Sequence, residues 1–189
     1  MLKALEALGL MLVVLALAAC DSSRGPRLRA IDLLKQFGAA ETRPVSGRFE
    51  MEDRECGGQS HGSLAVPPTS RVIWPLRLPE RAVFATQVAV TGPPGASAAF
   101  RVGISDDRIY EPLATQTVSA SDCARGWVPI EVDLGRYSGW KFSIFYQPAR
   151  REWRLVLGVN AAAGAPERAY WALPGIETDA RAAQRFRRR

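Results

Sequence analysis

Histidine is all but missing: the 189 residues hold one, His61. A histidine-rich metal site is therefore excluded, and a His-based catalytic dyad has a single candidate. Cysteine is scarce, with three in the chain. Residues 7–19 form an apolar run of thirteen, short of the roughly 20 that a helix needs to cross a bilayer. Surplus charge is lacking outside one stretch. The formal net charge is +6, yet the last nine residues hold five arginines and no acid; taking those five away leaves +1 for the rest. The chain is a nearly neutral body with a basic tail, which argues against a nucleic-acid partner. No nucleophile–base pair and no metal-ligand cluster stands out, so the sequence implies neither an enzyme nor a cofactor.

What is present begins with residues 7–19. The run follows Lys3, whose charge Glu6 cancels, and ends in small residues, as a cleaved secretion signal does. Its last residues, Leu17-Ala18-Ala19-Cys20, resemble the lipobox of bacterial lipoproteins. The resemblance implies that the Cys20 thiolate takes a diacylglycerol, that residues 1–19 are cut away, and that Cys20 becomes the acylated first residue. Two or more acyl chains make a durable tether. The alternative is an uncleaved apolar helix with a chance cysteine. The same resemblance places the protein in the bacterial cell envelope, facing the periplasm or the exterior, and Asp21 resembles an inner-membrane retention signal of enteric bacteria. Residues 20–29, polar and basic with Gly25 and Pro26, read as anchor and flexible tether.

About 170 residues remain, one domain's worth. In an oxidising compartment, Cys56 and Cys123 are expected to form a disulfide; two free buried thiols are the alternative. The bridge would also disarm the pair Cys56 and His61, which otherwise invites a thiolate–imidazole reading.

Residues 30–37 carry apolar side chains at 30, 31, 33, 34 and 37, a helical spacing that predicts a short N-terminal helix. From residue 45 the period shortens. Runs at 64–66, 70–78, 82–91, 99–105, 109–119, 128–134, 142–146, 155–159 and 170–176 read as strands, broken by Gly/Pro/Asp turns. Pro75 suggests an edge position or a bulge. Eight to nine short strands without long helices between them predict an all-β, antiparallel, jelly-roll-like β-sandwich over residues 30–178. Residues 179–189 form the basic tail, read either as a short basic helix or as a disordered solubilising terminus.

Three stretches then carry a resemblance: Trp127-Val128-Pro129-Ile130-Glu131-Val132-Asp133-Leu134, Tyr137-Ser138-Gly139-Trp140-Lys141-Phe142-Ser143-Ile144, and Tyr170-Trp171-Ala172-Leu173-Pro174-Gly175-Ile176. Together with Phe100-Arg101-Val102-Gly103-Ile104-Ser105-Asp106 they resemble carbohydrate-binding-like jelly-roll domains that occur alone in exported bacterial proteins and appended to sulfatases and membrane glycosyltransferases. The resemblance implies a non-catalytic sandwich and leaves the ligand open, because most matching residues are structural. Trp140 departs from the pattern, which has a small or polar residue there.

Of five tryptophans, Trp127 and Trp171 read as packing residues. Trp140 and Trp153 are the candidate sugar-stacking platforms. Asp106, Asp107 and Glu111 are candidate calcium ligands, with a solvated turn as the alternative. Arg181, Arg185, Arg187, Arg188 and Arg189 are candidates for contact with an anionic membrane or an acidic partner. The sequence thus points to a membrane-anchored exported lipoprotein whose sandwich binds a glycan or envelope polymer. The alternative is a structural subunit of an envelope complex that docks a protein partner.

Overall fold

The computed structural model describes residues 26–138 and 152–188. Cys20, Trp140, Arg189 and the expected strand at 142–146 lie outside them. In chain order the elements are β1 (Arg27–Asp32), β2 (Glu41–Arg43), β3 (Glu50–Cys56), β4 (Gln59–Val66), β5 (Ser70–Leu76), β6 (Val83–Thr91), β7 (Ser97–Ser105) and β8 (Tyr110–Ser119). They continue with α1 (Asp122–Arg125), β9 (Val128–Asp133), β10 (Trp153–Ala163), β11 (Arg168–Asp179) and α2 (Ala180–Arg187).

The strands form two antiparallel sheets. One runs β3-β4-β11-β6-β9 with β1 beside β11; the other runs β2-β5-β10-β7-β8. From β4 to β7, and again from β8 to β11, the chain crosses between sheets at every step, which gives the jelly-roll character. The period-2 alternation explains the layering. Val72, Trp74, Phe100, Val102, Leu155 and Leu157 fill the core from the second sheet. Leu64, Phe84, Val88, Trp171 and Ile176 meet them from the first, with Phe100 edge-on to Trp171 at 4.9 Å between ring centroids.

The expected helix over residues 30–37 is corrected. Residues 27–32 are strand β1, and a 3-10 turn follows at Phe37–Ala39. The free flank of β11 offers β1 a ladder from Asp179 to Gly175. Asp32 then breaks any helical continuation, because its Oδ1 accepts the N–H groups of Leu34 and Lys35. Three strands, β1, β2 and β3, join the eight described ones that the alternation predicts.

Proline sits where the sheet tolerates it. β2 covers only residues 71–73 of β5, so Pro75 lies on an open flank. Pro174 lies in the middle of its sheet, but at a bulge: the register with β6 slips between Ala172 and Gly175, and Leu173 takes φ 47°. At that point the other flank of β11 changes partner, from β4 at 169–172 to β1 at 175–179. The freed carbonyls find donors: Thr86 Oγ1 donates to Ala172 O at 2.9 Å, and Leu33 N to Pro174 O at 3.1 Å.

Because β4 pairs with β11 only through residues 63–66, the rest of the β3–β4 hairpin leaves the sheet. Its tip ends at α1, beside the opposite edge strand, where Cys56 and Cys123 form the expected disulfide. The hairpin therefore lies as a strap across the outer face of the first sheet. Beneath it Tyr170 is 4% exposed. Trp127 Nε1 donates to Gln59 O at 3.0 Å, and the Arg54 guanidinium stands 5.2 Å from the centre of the Tyr170 ring.

Candidate functional site

One outer face is closed by its own hairpin; among the described residues no hairpin or helix crosses the outer face of the second sheet. Register assigns its residues in transverse rows. The first row is Arg43, Arg71, Gly158, Arg101 and Thr115 across five strands. The next is Glu41, Ile73, Val156, Gly103 and Pro112. The third holds Pro75, Arg154, Ser105 and Tyr110. Two glycines, Gly103 and Gly158, lie on this side of adjoining strands with Val156 between them, and all three are buried.

Neighbouring side chains cover the two glycines. A Cβ at Gly103 would collide with the hydroxyl and ring of Tyr110, so the ring lies against the bare backbone there. Tyr110 is nonetheless 49% exposed, and neighbouring Ile109 70%. An aromatic side chain that rests on a sheet and shows its other side to water is a ready stacking surface, with an apolar body and a polar end. Its surroundings are charged. Arg154 bridges Glu41 at 3.6 Å and also pairs with Asp107, while Arg43 Nη2 holds Glu41 at 2.6 Å.

Asp107 apart, the described sequence candidates fall around this face rather than on it. Trp153 has the inward parity of Leu155 and closes the end of the core, edge-on to Tyr137 at 5.1 Å and half-buried. Tyr137 donates its hydroxyl to Glu111 Oε2 at 2.7 Å, and Arg136 pairs with the same carboxylate. Burial, and then the Glu111 carboxylate, push the Tyr137 phenol above its ordinary range. The three carboxylates proposed for calcium are not brought together. Asp106 Oδ1 accepts the N–H groups of Arg108 and Ile109, Asp107 faces Arg154, and Glu111 faces Tyr137 and Arg136. Among the described residues no group of three or more His, Cys, Asp or Glu could hold a metal ion.

The basic tail forms α2, capped by Asp179, whose Oδ1 accepts the Ala182 N–H at 2.8 Å. Ala182 and Ala183 are buried, and Phe186 packs on the core. Arg185 pairs with Glu80 at 2.6 Å, while Arg181, Arg187 and Arg188 are exposed.

Sequence reasoning passed over Tyr110, Gly103, Gly158, Arg71 and Arg101. Their signal was present as glycine on the polar face of an alternating strand, but it acquires meaning only when register sets the two glycines beside those side chains.

No family model matches the chain, and no curated protein matches it. Solved structures do match in fold. CBM51-2 of Clostridium perfringens ZmpB, in a structure with GlcNAc and INT domains, superposes with a TM-score of 0.53 at 14% identity, over 83% of this chain and 32% of that chain. The M60 catalytic domain of the same protein with CBM51-1 and CBM51-2 gives a TM-score of 0.53 at 13% identity, over 83% of this chain and 16% of that chain. This chain thus spans about a third or less of the length of those two chains. What the likeness shows is the fold: a β-sandwich of the kind found in carbohydrate-binding modules.

Proposed function

We propose that this protein is an exported, lipid-anchored, non-catalytic glycan-binding module of the bacterial envelope, and that it holds its ligand on the outer face of the second sheet. The observation that carries this reading is Tyr110 lying over Gly103, a half-exposed aromatic plate on the outer face of a sandwich. A pyranose ring offers one apolar face and a rim of hydroxyls. Tyr110 takes the apolar face, and the flanking arginines and carboxylates take hydroxyls. The fold of the matched modules supports the same reading, as does the neighbouring GlcNAc-bound structure for its own domain. Cys20 supplies the anchor through its likeness to a lipobox, and the basic end of α2, with Arg189, faces the anionic surface or an acidic partner.

The test is a glycan-array screen of the full chain purified in detergent, followed by titration of any hit. Tyr110→Ala is expected to weaken the hit about tenfold, the scale of one good stacking contact, with the melting temperature kept. Unchanged affinity would move the site elsewhere, and no binding to any glycan would end the glycan reading. Cys20→Ser is expected to abolish acyl labelling and membrane fractionation; persistent labelling would end the lipoprotein reading.

A further inference from the structure

Two positive charges are set across one glycine in the first row of that face. Gly158 pairs with Arg71 on one side and with Arg101 on the other. A Cβ on Gly158 would stand 3.8 Å from Arg101 Cβ and 3.9 Å from Arg71 Cγ, so both stems rise beside the bare backbone. Neighbouring strands are roughly 4.8 Å apart, which puts the two arginine Cα atoms about 10 Å from each other. Both side chains are exposed, and among the described residues neither has an acidic partner. The acids of this face are already engaged: Glu41 by Arg43 and Arg154, Asp107 by Arg154. The sheet thus neutralises two of its four arginines and leaves a like-charged pair flanking Gly158, whose backbone is buried beside their stems. Two like charges two strands apart repel weakly in water, and an anion set between them meets both.

We infer that Arg71 and Arg101 form a clamp for a carboxylate, so that the ligand is an acidic glycan with a uronic-acid residue seated over Gly158. This rests on the glycan-binding reading and narrows it. Guanidinium suits such a clamp, because it is always charged and its planar fork meets both oxygens of a carboxylate. The glycine matters equally, because any side chain at 158 would occupy the place between the two forks. Tyr110 lies across the neighbouring row, on Gly103, so a ring stacked there can present its neighbour's charged group to the clamp.

The full chain is titrated with an oligogalacturonate, with its methyl ester, and with a sulfated neutral oligosaccharide of matched length. The acid is expected to bind at least about tenfold tighter than the ester in dilute buffer, with the difference shrinking as salt screens the contact. The sulfated chain should fall below the acid, since the oxygens of a sulfate ester are much weaker hydrogen-bond acceptors than those of a carboxylate. Arg71→Gln/Arg101→Gln should erase the preference and leave ester binding and thermal stability in place. Arg187→Gln/Arg188→Gln, which removes the same net charge from α2, should keep it. Equal affinity for acid and ester overturns the clamp while the glycan reading stands. A sulfated chain that binds as tightly as the acid overturns the carboxylate assignment. Retained preference in the Arg71/Arg101 variant overturns the placement. Binding of none of the three overturns the clamp, and a blank array besides would overturn the glycan reading with it.

Discussion

A methyl group at position 103 would meet the Tyr110 ring, and the ring is the free end of a half-exposed side chain. Gly103→Ala should therefore swing Tyr110 off the sheet at small cost in stability and weaken glycan binding as far as Tyr110→Ala does. Equal melting temperatures with unequal affinities, read by calorimetry and titration, would bear this out. Thr86 acts at the same scale inside the molecule. It is 5% exposed, and its hydroxyl serves the carbonyl that the bulge at Leu173-Pro174 leaves open. Thr86→Val keeps the shape and strands that carbonyl, so it should cost roughly 1–3 kcal/mol in denaturant unfolding. Neither role is legible in sequence. Thr86 reads as one more residue of an alternating strand, and Gly103 as a weak point in another, until the register supplies their partners.

Among the elements, the hairpin strap depends most on a covalent bond. Cys56 and Cys123 are 67 residues apart, and closing a loop of that length is worth about 4 kcal/mol in chain entropy. The double serine variant should lose stability on that order and loosen the strap from Trp127 and Tyr170. Denaturant titration with tryptophan fluorescence reads both effects, and thiol titration of the denatured, unreduced wild type should find neither Cys56 nor Cys123 reactive. The disulfide could be expected from export and cysteine count, whereas the strap could not. β3 (Glu50–Cys56) has hardly an apolar residue with which to announce a strand, and its charges suit an edge. The misread segment at 30–37 teaches the converse lesson. Its apolar spacing suits a helix, but an unpaired flank on β11 outcompetes local propensity, and Asp32 turns the chain.

For the molecule as a whole, two carboxylates link stability to acidity. The Ser119 N–H, and then Arg125, hold Asp122 below the usual range. The Ala182 N–H does the same for Asp179, with Arg81 adding to it. Groups lowered in the folded state stabilise it fully above their unfolded values, near 4, and lose that contribution as the pH falls through the folded values. The melting temperature should therefore drop on acidification from about pH 5 to pH 2. Asp179→Asn keeps a good cap for α2 and should flatten part of that slope; an unchanged slope would assign the acid dependence elsewhere. The sandwich itself was legible because its core faces alternate so regularly. The candidate site was not, since a face on a sheet is built from residues adjacent only across strands.

The pairing of Arg27 with Asp179 has a mechanical side. A pull transmitted through residue 26 enters the domain at the start of β1 and is passed to β11 through the ladder from Arg27 to Asp32. From β11 the force reaches the second sheet through interlocked core side chains, Trp171 against Phe100 among them. A polymer held over Gly158 would drag on that far sheet. Tension between surface and polymer would then cross the full thickness of the sandwich, and the grip could be no stronger than the packing between its two layers.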